Sequence, residues 1–195
     1  MAGIDESSIN ASYFLKIDDV AAMPFADIEI TDLQIDCSQG TVASIDPSYK
    51  GGDYTAISIM RFFGAKAVFV GFVWKKAWYD CLEDLRAVFV RFNVKMVFFE
   101  NNVLGEEPIR QLNNLNLDCK FVGFVSLDNK AAKIQNAGMF ANSFMLSKES
   151  SSEYISQILD YEAGAEYDDA PDSMANLLIN LNLMESAKGK KNNGR

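Results

Sequence analysis

Residues 41–63 read TVASIDPSYKGGDYTAISIMRFF and contain the strongest fold signal in the chain. The first six residues form an apolar, β-prone run that ends at Asp46. Residues 47–53 are rich in turn formers, and residues 54–63 are again β-prone. The segment predicts a hairpin, and the apolar run at 67–74 extends it to a three-stranded antiparallel meander.

Helical and extended patterns alternate after the meander. Apolar residues at spacings of three and four predict a helix over 77–92. The sequence then predicts, in chain order, a strand at 95–100, a helix at 106–115, a strand at 119–125, a helix at 130–140, a short extended piece at 143–146, a helix at 152–161 and a last helix from 171 or 172 to about 187. This order predicts an α/β fold with a mixed five-stranded sheet, in which parallel strands join the meander through helical crossovers and helices cover both faces.

The two ends of the chain differ from this central region. Residues 1–40 show little periodicity, and we interpret them as an N-terminal arm or linker. Residues 188–195 carry four basic and no apolar side chains, which predicts a disordered basic tail. We therefore expect one folded domain at 41–187.

The composition limits the chemistry available to the chain. Its 195 residues include 27 acidic, 18 basic and no histidine residues, with a formal net charge of −9. Residues 1–187 contain 14 basic and 27 acidic side chains, a net charge of −13. The absence of imidazole excludes Ser-His-Asp and Cys-His catalysis and histidine-ligated zinc. An enzyme of this composition must use carboxylates or metal ions, and a domain this acidic is expected to hold nucleic acid weakly by itself.

Cysteine content and hydropathy indicate the cellular setting. Cys37, Cys81 and Cys119 are odd in number and form no CxxC pair, which argues against a disulfide framework or a zinc ribbon. We expect reduced core residues. Apolar runs such as 67–74 are too short to span a membrane, and the acidic N-terminus lacks the basic region of a signal peptide. These patterns predict a soluble cytoplasmic protein with no membrane partner.

Four acidic residues fall where predicted elements end or begin. Asp46 ends the first strand, Glu100 ends the fourth, and Asp169 and Asp172 lie at the start of the last helix. The carboxyl ends of parallel strands and nearby helix N-termini converge on the functional crevice of open sheets. Clustered carboxylates need cations, and oxygen ligands favour Mg²⁺ or Mn²⁺ over zinc. Two such ions can activate water and stabilise the leaving oxygen of a phosphodiester without histidine.

Each acidic residue also has a purely structural interpretation. Asp46 before Pro47 is typical of a turn, and Asp53 could simply close the glycine turn that precedes it. A single Asp at a helix start, whether Asp169 or Asp172, is more often an N-cap than a ligand. Acidic residues at 160, 162, 166 and 168 are typical of a solvated loop. Only the occurrence of Asp46, Glu100 and the Asp169/Asp172 pair together favours a metal site.

Three strings occur together in one order: SIDPSYKGGDYTA at 44–56, VFFENN at 97–102 and YDDAPDSMA at 167–175. Together they resemble the C-terminal nuclease domain of the large terminase subunit of tailed bacteriophages, over roughly residues 41–187. The resemblance implies a ribonuclease H-like fold. It also implies an endonuclease that uses two Mg²⁺ or Mn²⁺ ions to cut concatemeric viral DNA at the start and end of packaging.

The same resemblance assigns site residues. It makes Asp46 and Glu100 metal ligands, and it takes the third carboxylate from the acidic motif before the last helix. Asp172 is the first choice there and Asp169 the alternative, and both stay open because family members often have histidine at the position of Tyr167 or Asp169.

Three further residues match weaker features of the family. Asp53 corresponds to a recurrent acid after the glycine turn and would be an outer ligand. Lys130 and Lys133 resemble a basic segment that faces DNA phosphates, although an exposed helix face explains them equally well.

The implied partners belong to a packaging machine. They are double-stranded DNA, the packaging ATPase domain of the same full-length protein, the small terminase subunit and the portal protein, in the cytoplasm of a phage-infected or prophage-carrying bacterium. Two other functions remain open: a non-catalytic module that docks on the portal or motor, and a resolvase-like or transposase-like nuclease on the same fold.

Overall fold

One seven-stranded mixed sheet organises the chain in the computed structural model, which describes residues 23–50, 52–64, 66–102, 105–126 and 129–192, the last eleven as backbone alone. The strands are β1 (Glu29–Thr31), β2 (Thr41–Asp46), β3 (Thr55–Phe63), β4 (Lys66–Trp74), β5 (Val94–Glu100), β6 (Lys120–Phe124) and β7 (Phe144–Ser147). Their order across the sheet is β1-β7-β4-β3-β2-β5-β6. The predicted meander is confirmed, since β2, β3 and β4 pair antiparallel. The predicted parallel additions are also present, at β5 beside β2 and β6 beside β5.

The expected count of five strands is wrong, because two short strands complete the far edge of the sheet. β7 corresponds to the segment expected only as a short extended piece, and it pairs parallel to β4. β1 lies within the segment interpreted as an arm, and it pairs parallel to β7 through Glu29–Thr31. Strands of three and four residues contain too little alternation to be recognised from sequence.

In the part of the chain that the structure describes, five α-helices lie between and after the strands. They are α1 (Leu82–Arg91), α2 (Glu107–Asn113), α3 (Lys130–Gly138), α4 (Ser152–Leu159) and α5 (Asp169–Asn192), with short 3₁₀ helices at Trp78–Cys81 and Ala141–Ser143. Ser151 caps the start of α4, because its side chain accepts a hydrogen bond from Tyr154 N. Helix α5 continues to Asn192, into the segment expected to be a disordered tail, and residues 193–195 lie outside the described residues.

The sheet separates two hydrophobic cores, as expected for helices on both faces. One core contains α1 and α2 side chains packed on the sheet, among them Leu85, Phe89 and Leu112. The other contains side chains of α3, α4 and α5, among them Ile134, Tyr154 and Met174. Helix α5 packs across β2 and β3 on this second face.

Strand alternation places the acidic ends of β2 and β5 on the α5 face. Ala43 and Ile45 of β2 lie in the first core, so the residues between and after them point to the other side. The same holds for β5, where Val97 and Phe99 lie in the first core. Asp46 and Glu100 therefore project from adjacent parallel strands towards α5.

Two further findings concern the sequence-based expectations about setting. Within the described residues the three cysteines are free, with Cys81 buried and the other two half-buried against the first core. In the same part of the chain, no helix has the length and apolar character needed to cross a membrane.

Candidate metal centre

Three carboxylates converge where the ends of β2 and β5 meet the first turn of α5. Asp46, Glu100 and Asp172 each place one oxygen within 4.8 Å of the others. The parallel register that pairs Ile45 with Phe99 brings the two strand ends side by side. Asp172 comes from the helix above them and is almost fully buried, with 2% of its surface exposed.

A buried hydroxyl network fixes the first turn of α5 on the sheet. Ser58 of β3 shares short hydrogen bonds with the hydroxyl of Tyr154, at 2.5 Å, and with Ser173, at 2.6 Å. Ser173 also donates to Ala170 O. Because Ser173 is the neighbour of Asp172, this network sets where the Asp172 carboxylate points.

Glu100 is held in place through both of its oxygens. Asn102 donates to Oε1 at 2.6 Å, and Asn176, one helical turn after Asp172, donates to Oε2 at 2.7 Å. The hydroxyl of Tyr49 donates to the Glu100 carbonyl oxygen at 3.1 Å. Burial, followed by the charges of Glu100 and Asp46, raises the pKa of Tyr49 to about 12, so this hydroxyl stays protonated and remains a donor.

Asp46 and Asp169 lie in surroundings that disfavour their ionised forms. Burial raises the pKa of Asp46 well above its ordinary value, and the charges of Asp172, Asp169 and Glu100 add to this effect against the opposing charge of Lys130. Burial is also the main cause that raises the pKa of Asp169 to about 7. Among the described residues, nothing donates a hydrogen bond to the buried Asp169 Oδ2. Buried carboxylates of this kind call for a cation.

Lys130 and Lys133 of α3 supply positive charge to the same cluster. Lys133 Nζ lies 2.5 Å from Asp172 Oδ1 and 3.8 Å from Glu100 Oε2. Lys130 Nζ lies 3.3 Å from Asp46 Oδ2 and 3.4 Å from Asp172 Oδ2. Burial lowers the pKa of Lys130, but the charges of Asp46 and Asp172 outweigh it and the pKa lies above its ordinary value. The alternative of an exposed helix face does not describe Lys133, which is buried.

The other acidic candidates lie outside the three converging carboxylates. Asp169 belongs to the first turn of α5 beside Asp172, but it is not among the three residues whose oxygens converge. Asp53 is exposed, and its charge contributes to raising the pKa of Asp169. Asp168, interpreted from sequence as part of a solvated loop, forms an ion pair with Lys130, whose Nζ lies 2.7 Å from Asp168 Oδ1.

Sequence reasoning missed two residues that organise the centre. Asn176 links Glu100 Oε2 to Lys133 Nζ, whose ammonium donates to Asn176 Oδ1 at 2.7 Å. Asn102 is the last residue of the VFFENN string, which gave it no role, and it donates a hydrogen bond to Glu100. The spacing of Asn176 from Asp172 by four residues was the available signal, because such residues share one helix face.

The residues present suit a hard divalent cation. The three converging groups are all carboxylates, the ligands that Mg²⁺ and Mn²⁺ prefer. The orphaned oxygen of Asp169 adds a further buried acceptor beside them. Asp46, Glu100 and Asp172 are therefore the residues that would hold an ion.

Comparison with known structures identifies the fold. No protein-family model matches the sequence, and no curated protein matches it. The large terminase nuclease of thermophilic phage G20c, in a zinc-bound crystal structure, is similar with a TM-score of 0.55 and 12% identity, over 85% of this chain and 96% of that one. The human cytomegalovirus terminase nuclease domain, soaked in manganese with an inhibitor bound, is similar with a TM-score of 0.54 and 12% identity, over 82% of this chain and 94% of that one.

A longer protein is similar over part of its length. The large terminase of thermophilic bacteriophage D6E gives a TM-score of 0.56 and 11% identity, over 78% of this chain and 43% of that one. The likeness to terminase nucleases that three sequence strings indicated is thus confirmed in structure: this chain has the α/β fold of the large terminase nuclease domains.

Proposed function

We propose that this chain is the metal-dependent endonuclease domain of a viral DNA-packaging terminase and cuts concatemeric double-stranded DNA. The observation that carries the proposal is the convergence of Asp46, Glu100 and Asp172 on one point at the carboxyl ends of two parallel strands. The fold shared with terminase nucleases supports the choice of substrate.

The metal-binding residues are proposed from their positions. Asp46, Glu100 and Asp172 would hold one Mg²⁺ or Mn²⁺ ion, and Asp169, with Asp53 as a weaker outer ligand, would complete the site for a second. Ions bound there would supply activation of a water molecule and stabilisation of the departing 3′ oxygen. This proposal takes Asp172 as the third ligand and gives Asp169 the secondary place, because only Asp172 shares the converging geometry.

The protein's own contribution is orientation. Asn102 and Asn176 each donate to a different oxygen of Glu100, which fixes the orientation of its carboxylate. The Ser58–Ser173 contact fixes the helix turn that carries Asp172. Partners of this kind typically contribute a factor of about 10 to 100 in metal affinity or activity.

The exposed Lys75 contacts two half-buried tyrosines that neighbour acidic residues of the proposed site in the chain, and such a group suits a DNA backbone. Lys75 Nζ lies 5.5 Å from the ring centre of Tyr54 and 5.3 Å from that of Tyr167. Tyr167 directly precedes Asp168, and Tyr54 follows Asp53. We assign Lys75 as a contact to a DNA phosphate.

Plasmid nicking tests the proposed activity. The chain should nick supercoiled DNA with Mg²⁺ or Mn²⁺ and lose activity in chelator. D46N, E100Q and D172N should each reduce the rate by more than about 100-fold, because the loss of orienting partners alone costs up to that amount. The matched control is E83Q, which alters an exposed carboxylate on α1, on the opposite face of the sheet.

The outcome also separates the competing functions. Full nicking by D46N and E100Q, with folding verified by circular dichroism, would contradict the assignment of Asp46 and Glu100 as metal ligands. Neither cleavage nor a Mn²⁺-dependent thermal shift in the unaltered chain would favour a non-catalytic docking module. Preference for branched over linear duplex would favour a resolvase-like nuclease.

DNA binding in Ca²⁺ tests the role of Lys75. K75A should weaken binding and reduce the salt slope by about one, the value for a single phosphate contact. The control is K76A, since Lys76 is paired with Asp84 instead of with the tyrosines. Equal salt slopes for both variants would contradict the assignment.

The wider setting is part of the same proposal. A chain that spans 43% of the D6E large terminase would correspond to one portion of such a protein. Its partners would then be the packaging ATPase portion, the small subunit and the portal, in the cytoplasm of an infected bacterium.

A further inference from the structure

Two lysines of one helix reach the acidic centre, but they differ in how firmly they are held. The Lys133 side chain is 2% exposed, and its ammonium contacts Asp172, Asn176 and Ser126 at 2.5, 2.7 and 3.3 Å. Asp172 and Asn176 are buried, and Ser126 is half-buried. Lys133 is therefore a buried countercharge that is held by several partners.

Lys130 reaches the centre from its rim. Its side chain is 39% exposed, and its ammonium bridges Asp46 Oδ2 and Asp172 Oδ2 at 3.3 and 3.4 Å while contacting Asp168 Oδ1 at 2.7 Å. The half-exposed Asp168 lies on the solvent side of this arrangement. Asp168 is thus a partner at the rim that Lys130 could keep on losing the other two carboxylates.

The oxygens that Lys130 bridges belong to two of the three residues that converge. A divalent cation held by Asp46 and Asp172 would need the space that the ammonium occupies. Two cations in one small volume repel each other, and the carboxylates that attract one attract the other. Lys130 and such an ion would thus compete for one position.

We infer that Lys130 is a displaceable internal cation, which neutralises Asp46 and Asp172 in the metal-free protein and moves aside to Asp168 when a divalent ion binds. Lys133 stays in place in both states. The inference rests on the proposed function for the location of the ion. It assigns Lys130 as a positioning residue that lowers metal affinity and maintains the fold of the free site.

Calorimetric titration with Mn²⁺ on the full chain tests the inference. K130M removes the competing charge, so its Mn²⁺ affinity should exceed that of the unaltered protein by at least tenfold. K130R keeps the charge and should stay close to the unaltered protein. The matched control is K95M, because Lys95 forms its ion pair with Asp118 at the other end of β5.

Thermal unfolding adds a readout independent of activity. In chelator, K130M should melt at a lower temperature than K95M, because two buried carboxylates lose their countercharge. In saturating Mn²⁺ this difference should vanish, since the ion supplies the charge. An equal deficit with and without Mn²⁺ would show a merely structural lysine and overturn the inference.

A measurement on the unaltered chain covers the case in which K130M does not fold. Nitrogen-15 NMR of the lysine ammonium groups, assigned with K130R, should show a Mg²⁺-dependent shift for Lys130 and a constant signal for Lys133. Shifts of equal size for both lysines would overturn the inference.

The outcomes distinguish the two proposals. Mn²⁺ binding of equal or lower strength in K130M than in the unaltered chain removes the inference and leaves the metal site standing. Binding by K130M alone supports the inference. No binding by either protein removes the metal site and the inference with it.

Discussion

Replacing Lys133 by methionine should cost far more stability than replacing any exposed lysine. Lys133 Nζ lies 2.5 Å from Asp172 Oδ1, and both side chains are at most 3% exposed, so solvent does not screen the pair. Their attraction amounts to about 7 kcal/mol at an effective dielectric constant near 20. Much of this value offsets the cost of removing both charges from water, which leaves an expected loss of about 3–5 kcal/mol when one partner is removed.

Urea unfolding in chelator measures this loss. K133M should unfold at a lower urea midpoint with an unchanged slope, as expected for a change in stability alone. The exposed Lys95–Asp118 pair gives the matched control, since K95M should cost less than about 1 kcal/mol. A double-mutant cycle with D172N isolates the interaction between Lys133 and Asp172. The K133M/D172N variant should lose less stability than the two single variants together, by about 2 kcal/mol or more. A loss below about 1 kcal/mol for K133M, or additive single losses, would refute the idea that Lys133 is the fixed countercharge of the centre.

Two further predictions concern the core and the thiols. G71A should lose about 1–3 kcal/mol or more in the same unfolding assay, because a Cβ at Gly71 would overlap the buried ring of Tyr154. The control G52A should change stability by no more than about 0.5 kcal/mol, since its Cβ would meet nothing within 4 Å. Equal losses in both variants would contradict the close packing of Gly71 against Tyr154. Burial raises the pKa of Cys81 to about 11 and that of Cys119 to about 12, so both thiols should react with iodoacetamide at pH 8 at least about tenfold more slowly in the native protein than in urea. Since these pKa values lie above the unfolded value near 9, stability should fall as the pH rises from about 9 to 11. Rapid native labelling would contradict the raised pKa values of the buried Cys81 and the half-buried Cys119.

The sequence was most informative where patterns were long and local. Residues 41–63 carry alternation and turn chemistry over more than twenty positions, so the meander follows from them with its boundaries nearly correct. Glu29–Thr31 has no such pattern, because its strand is defined by pairing with Met145–Ser147, more than one hundred residues away. Pairing at that distance leaves no periodic trace in either segment.

The candidate site shows the same division. Asp46 and Glu100 stand out because a charge follows each apolar strand, and strand alternation then fixes the face to which both point. Lys133 carries no comparable signal. Its sequence context, within NKAAKIQ, is that of an ordinary amphipathic helix, and its burial follows from the packing of α3 against α5.

Acidic residues outnumber basic residues at the metal centre, as they do in the whole chain. Around Asp172, two lysines face the carboxylates of Asp46, Glu100, Asp168 and Asp172, so the centre stays negative even with both ammonium groups in contact. A phosphate approaching this centre is repelled unless further positive charge is present. Because the chain has no histidine and Lys133 is enclosed, that charge must come from bound cations and from lysines able to move, such as Lys130. If Lys130 exchanges as inferred, the arrival of the ions and the release of an ammonium towards the substrate are one event, and DNA affinity should rise with divalent cation in the unaltered chain and rise less in K130M.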